Sequence, residues 1–334
     1  MILGFIFASL VSILFAVYAV PRKHSKQNVI LYTMWMGIAY FIGTIILIAI
    51  IWGFGFERPE NLLNPWHLLT VLRGLIWVLG MAAYNIAIDK IGLTRFNQWK
   101  NIQGPVGSIL IILFVVPAQG LTISGVKLLY LFFGVTVMFM SALMFQIKSN
   151  NETSTTETNK TAEFTTNKKQ ITSKKDTSLG IVFALSAGVC FGITALLNNI
   201  VSLPAIVGER FTFAQLLFHS ISLIVFSMIL YLLIGDKQKN AKQRLKEIGK
   251  VDNKTWLPFI AGLMFLVATL LSIYSYRLIS NGSIPWSITQ LNVFWTVLIG
   301  IFIYKEVNFK QHWLRLILGG IMAIVACVLL FLAM

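Results

Sequence analysis

Ten apolar runs divide this chain, most of them separated by only a few polar residues. They fall at about 2–20, 28–52, 66–88, 93–116, 125–147, 179–201, 211–234, 256–280, 284–304 and 312–333. A helix needs roughly 20 apolar residues to cross the hydrocarbon core of a bilayer, and each run reaches that length. The pattern predicts an all-α integral membrane protein with ten transmembrane helices. One connection is different. Residues 149–178 are rich in Thr, Asn, Ser and Lys and have almost nothing to bury, so they read as a disordered linker. This linker separates a first five-helix unit, 1–148, from a second, 179–334.

The two units resemble each other. Leu3-Gly-Phe-Ile-Phe-Ala8 lines up with Leu179-Gly-Ile-Val-Phe-Ala184, and Phe15 with Phe191. Tyr84 before Gly92 answers Tyr274 before Gly282, and Gly134 through Phe145 answers Gly320 through Phe331. Trp99 and Gln103, one helical turn apart, recur 187 positions later as Trp286 and Gln290, with Gly104-Pro105 and Pro285 as nearby helix breakers. Five spans are an odd number, so a second unit of the same design enters the membrane the other way up. Inverted repeats are the architecture of secondary transporters, whose sites lie where the repeats meet.

Composition agrees with a membrane chain, with 57% apolar and 12% charged residues. The net charge of +15 does not point to nucleic acid, because the basic residues sit in alternate loops. Arg22, Lys23 and Lys26 follow the first run, and Lys90 and Arg95 the third. Six lysines follow the fifth, seven Lys and Arg residues follow the seventh between 237 and 254, and Lys305 and Lys310 follow the ninth. The other loops hold Arg58, Arg210 and little else. The positive-inside bias then places the linker and the 235–255 loop in the cytoplasm and both termini outside, in the plasma membrane. The first run has no basic segment before it and Pro21-Arg22-Lys23 after it, the reverse of a secretory signal. Cys190 and Cys327 both fall inside runs and read as packing residues. No metal-ligand spacing is present and no cofactor is implied.

All twelve acidic residues lie in loops or at the ends of runs. That argues against a site for organic cations and removes the commonest proton carrier of a pump. His219 alone among the histidines lies well inside a run, where it is a candidate proton relay or a packing residue bonded to Gln215. Arg73, a third of the way along the third run, reads as snorkelling to the outer surface; gripping a carboxylate or phosphate is the alternative. Lys100 and Arg277 sit near run ends, where snorkelling is the default. The remaining interior polar groups are amides, hydroxyls and aromatics, which suit a neutral polyhydroxy solute. Trp99, Gln103, Trp286, Gln290 and Asn292 are the candidate path residues, with Asn85, Tyr84 and Tyr274 beside them. Each also has a bland role as interhelical packing worth about 1 kcal/mol. Gly125, Gly134, Gly319 and Gly320 allow close helix approach, for packing or a homodimer.

The passage Val297-Leu-Ile-Gly-Ile-Phe-Ile-Tyr-Lys-Glu306, followed by Gly319-Gly320, resembles the closing pattern of the drug/metabolite transporter superfamily, and the likeness covers nearly the whole chain. Phe15-Ala-Val-Tyr-Ala-Val-Pro-Arg-Lys23 with Met34-Trp35 is similar to the glucose/ribose porter and rhamnose–proton symporter branch. The resemblance implies a sugar uptake carrier, a monosaccharide as substrate, proton coupling by some members, and a cavity lined by spans one, three, four, six, eight and nine. It carries over Pro21 and Lys23 as the branch motif and Glu306 as a structural acid. The rivals are an exporter of drugs, amino acids or other metabolites on the same fold, a membrane-embedded enzyme, and a lipid-binding scaffold using the basic 235–255 loop. The enzyme lacks a His-Glu-x-x-His motif, paired intramembrane acids or a nucleophile with a base.

Overall fold

The computed structural model describes residues 2–18, 20–25, 27–100, 102–120, 124–144, 174–236, 239–251, 255–279, 281–303 and 309–333. Every regular element among them is helical. We number the main helices α1 (Ile2–Val17), α2 (Val29–Gly53), α3 (His67–Lys100), α4 (Gln103–Ala118), α5 (Gly125–Met144) and α6 (Lys174–Ser202). They continue as α7 (Phe213–Ile234), α8 (Ala241–Ile248), α9 (Trp256–Leu278), α10 (Ser283–Thr289), α11 (Asn292–Phe302) and α12 (Phe309–Leu332).

Among the described residues, seven helical segments are long and apolar enough to cross a membrane: Ile2–Arg22, Val29–Gly53, His67–Tyr84, Thr177–Ser202, Phe213–Ile234, Trp256–Leu278 and His312–Leu332. Two shorter apolar helices, Gln103–Ala118 and Gly125–Ser141, accompany them. Burial is reversed relative to a water-soluble protein. Arg73, Gln103, Asn199, Gln215, His219 and Gln290 are inside, while Leu128, Leu129, Phe132 and Phe133 of α5 and Ile317, Leu318, Ile321 and Ile324 of α12 face outward. Such a surface is stable only against lipid, where the helix also satisfies every backbone group within one segment. The chain is a multi-pass membrane protein.

The packing has a regular plan. α3 lies along α6 and α1 along α9; α2 packs on both α7 and α9, and α7 on α3. α4 packs on α6 and on α10, α1 on α10 and α11, and α5 on α12. The central core joins Tyr32, Met36 and Tyr40 of α2, Trp77 and Met81 of α3, Phe191 of α6, Leu216 and Leu223 of α7, and Phe265 of α9. Without water to drive association, close approach of small residues supplies much of the contact. A Cβ at Gly262 of α9 would overlap the Met36 carbonyl of α2.

Several boundaries differ from the sequence expectation. The break expected between 88 and 93 is helical, because helical hydrogen bonding continues to Lys100. The path still doubles back there: Gly80 meets Cys190 and Gly180 meets Lys90 and Ile91, whereas Gly188 meets the Lys100 carbonyl. The helix instead ends at Lys100, inside the expected fourth span, and the next begins at Gln103. The ninth run is likewise broken, at Gln290-Leu291, between α10 and α11. In α4 a π-helical turn spans Ile111–Val115, with the Val116 amide bonded to the Ile111 carbonyl. It precedes Pro117, which has no N–H to offer a normal helical bond. The linker expected to extend to Ser178 is helical from Lys174; residues 149–173, and with them the disorder expectation, lie outside the described residues. The 235–255 loop holds a helix that the pattern did not predict. α8 starts with a capping box of Asn240 and Gln243. Arg244 then closes the end of α7 by donating to the carbonyls of Leu232 (2.7 Å) and Asp236 (3.1 Å).

Candidate functional site

Between the two sets of helices lies a cavity of about 90 Å³. Its wall has an aromatic part, a cationic part and an amide part. In the aromatic part Phe265 stands between Trp77, 4.9 Å away by ring centroids, Tyr18 at 5.6 Å and Phe15 at 6.1 Å. Phe191 closes it, 6.3 Å from Trp77, and the Lys100 ammonium lies 6.0 Å from the Phe191 ring centroid. Flat apolar faces of this kind suit the C–H face of a ring-shaped solute.

The cationic part centres on Arg73, which is only 3% exposed. Its Nε donates to His219 Nδ1 at 3.2 Å and its Nη1 to Asn198 Oδ1. The Gln215 amide is best satisfied with its nitrogen donating to the Phe211 carbonyl (2.9 Å) and its oxygen accepting from Arg73 Nη1 (2.8 Å). A guanidinium can only donate, so His219 Nδ1 is an acceptor and this face of the ring carries no proton. The histidine's partner is therefore Arg73, not the expected Gln215. Arg73 does not snorkel to the surface as expected, because three uncharged acceptors hold it inside. Lys100 too faces the cavity rather than the surface. Arg277 is held at its helix end, donating from Nε to the Ser202 carbonyl at 3.0 Å and from Nη1 to Thr212 Oγ1.

The amide part is built by the two helix breaks. Gln103, first residue of α4, donates from Nε2 to Gln290 Oε1 at 3.0 Å. Gln290, just past α10, donates to the Trp286 carbonyl (3.1 Å). The Trp286 indole N–H bridges the carbonyls of Gln103 and Gly104, both at 3.2 Å. Ser108 and Ser287 meet alongside at 2.9 Å. Gly107 is what lets Trp286 lie so close: a Cβ there would overlap the indole nitrogen. Thr289 and Asn292 complete the wall.

Of the residues singled out from sequence, Gln103, Trp286, Gln290, Asn292 and His219 line the cavity. Trp99 does not. It is 43% exposed against 8% for Trp286, because Trp99 belongs to α3, which ends at Lys100, and Gln103 to the separate helix α4. The two Trp/Gln pairs thus meet through their glutamines alone. Tyr84 is buried behind the wall, edge-on to Phe191 at 6.5 Å, and Tyr274 is half-buried away from it. The Asn85 and Lys23 side chains and Glu306 lie outside the described residues. Pro21 is half-buried in a short helix, Val20–His24, whose Arg22 lies 5.2 Å over Tyr32. Sequence reasoning passed over Trp77, Thr194, Phe265 and Thr269, which are ordinary helix residues until their faces converge. Asn198 and Tyr276 were visible as interior polar groups but had no repeat partner to single them out.

Outside the membrane-crossing segments, Glu60 in the connection before α3 caps the start of α7. Its Oε1 accepts from the Thr212 amide (2.7 Å) and the Phe213 amide (3.2 Å), and its Oε2 from the Ala214 amide (2.7 Å). Burial raises its pKa above the ordinary carboxylate value, only partly offset by these amides.

A family model described as "Sugar transport protein" matches residues 161–333, a little over half of the chain. No curated protein matches. Among solved structures, one described only as "Crystal structure of protein" is similar in fold, with a TM-score of 0.58 at 12% identity over 98% of this chain and 95% of that one.

Proposed function

Because this chain belongs to the sugar transport protein family, we propose that it is an alternating-access carrier taking a monosaccharide through the cavity between its two units. In this reading the chain has ten transmembrane helices as two inverted five-helix repeats, residues 1–148 and 179–334. It sits in the plasma membrane with both termini outside, works in uptake, and is closest to the glucose/ribose porter branch of the drug/metabolite transporters. The contact plan supports the repeat. Exchanging the units turns the α3–α6 contact into α9–α1, α3–α7 into α9–α2, and α4–α6 into α10–α1, while α2–α7, α4–α10 and α5–α12 map onto themselves.

The observation that carries the proposal is the meeting of two broken helices at Gln103 and Gln290, 3.0 Å apart. Discontinuous helices at corresponding points of two repeats are where secondary transporters bind substrate. Trp286 and Gln290 would offer the sugar an indole and an amide, and the Phe265 cluster an apolar face. His219 accepts a hydrogen bond from Arg73, so a proton at Nδ1 would have to displace a guanidinium. The geometry favours His219 as a positioning residue for Arg73 over a proton relay, and a homodimer is not needed to complete the cavity.

The test is uptake of labelled monosaccharides into proteoliposomes, with and without an inward proton gradient. Saturable uptake supports the carrier, and acceleration by the gradient restores proton coupling. Absence of sugar uptake together with drug or amino-acid counterflow in the same vesicles moves the assignment to an exporter.

A further inference from the structure

The charge balance of the cavity carries an inference about the substrate that rests on the sugar-carrier reading and departs from a neutral solute. Two cations, Arg73 and Lys100, stand on the wall, and among the described residues no carboxylate does. Arg73 is almost wholly enclosed, yet each of its hydrogen-bond acceptors, His219, Asn198 and Gln215, is uncharged. Its Nη2 meets no acceptor in good hydrogen-bond geometry, and the Tyr40 hydroxyl that also interacts with the guanidinium is a neutral group as well. Inside a membrane protein a cation normally pairs with an acid or with a ligand, because an unpaired charge there is costly. The guanidinium fork matches two oxygens of an oxyanion, and the bond to an ionised acceptor is about twice as strong as a neutral one.

We propose that the substrate is a sugar bearing an oxyanion, a carboxylate or a phosphate, with Arg73 as its anchor. The anion would take Nη2, and Lys100, beside Phe191, would add attraction from the other part of the wall. His219 and Asn198 hold the guanidinium in place, so it needs no rearrangement to bind. The rest of the ring would lie toward the Phe265 cluster and the Gln103–Gln290 amides, where hydroxyls find partners and C–H groups find aromatic faces.

The full chain in proteoliposomes is tested for binding and uptake of D-glucose, D-glucuronate and D-glucose 6-phosphate. The expected result is that at least one of the two anions binds about tenfold or more tighter than glucose, the better of the two identifying the oxyanion. Arg73→Gln should bring that preference close to one while leaving weak sugar binding, and Arg73→Lys should keep part of it. Lys100→Gln should weaken the anion and not glucose. Should Arg73→Gln fail to fold, the wild-type comparison and Lys100→Gln still decide. Glucose binding as tightly as both anions overturns the inference and leaves the sugar-carrier reading standing. A preference that survives Arg73→Gln also overturns it. Binding of none of the three overturns both.

Discussion

The two Trp/Gln pairs are alike in sequence and unlike in place. Trp286 and Gln290 stay together where α10 ends, with the indole buried against the Gln103 and Gly104 carbonyls. Trp99 and Gln103 are parted by a break, leaving the tryptophan on the outer surface and only the glutamine inside. The comparison shows which member of the pair the cavity uses twice. Both glutamines reach it and bond to each other; only one tryptophan does. The second unit therefore supplies the Trp286 indole and the first supplies the carbonyls that hold it.

The comparison breaks most sharply at Gly107. A methyl group there has no room beside Trp286, and overpacking a tight site costs about 1–3 kcal/mol. Gly107→Ala should abolish transport and lower the melting temperature of the purified protein, whereas alanine at Gly125, whose Cβ would meet open space, should do neither. Next comes truncation of the amides. Gln103→Ala and Gln290→Ala should each reduce sugar uptake about tenfold, the scale of one buried hydrogen bond left half-satisfied. Trp99→Ala should stay within about twofold, as an outward residue away from the wall does. Equal losses at Trp99 and Gln103 would restore two equivalent pairs. A double-mutant cycle across Gln103 and Gln290 sharpens the point, with an expected coupling of about 1 kcal/mol in sugar binding.

The smallest expected effect concerns Glu60. Its folded-state pKa is raised by burial, so the folded protein holds that proton more tightly than the unfolded chain. Its contribution is thus fully present below the unfolded value of about 4.5 and fades as the pH rises through the raised one. Glu60→Gln should flatten the decline in melting temperature above about pH 4.5. An unchanged profile would show that the three amides of α7 offset the burial penalty in full.

Much of this fold is legible in the sequence because a bilayer leaves few choices. Runs such as Val29–Gly53 and Trp256–Leu278 appear as helices within two residues of where hydropathy puts them. The interruptions are harder to read. Gly104-Pro105 and Pro285 mark the right neighbourhoods, but the helices end at Lys100 and Thr289, positions that no residue type announces. α8 was missed for the opposite reason: five of its eight residues are charged or polar, so no apolar run announces it, and Arg244 finds the end of α7 only in three dimensions. At the site, Gln103, Trp286 and Gln290 were readable from their repetition. Arg73 was visible as a charge but was placed at the outer surface instead of inside, since hydropathy gives depth along a helix and not which face turns inward. Phe265 and Trp77 gave no signal, because an aromatic in an apolar run looks the same whether it meets lipid or a cavity.

The central claim is that the Gln103–Gln290 junction belongs to a path opened to each side of the membrane in turn. The most direct test is labelling of Asn292→Cys by a membrane-impermeant maleimide applied from each side, in a background with Cys190 and Cys327 replaced by serine. The account predicts reaction from both sides, with bound sugar changing the balance between them. Reaction from one side alone, unaltered by any sugar that the protein binds, would contradict it.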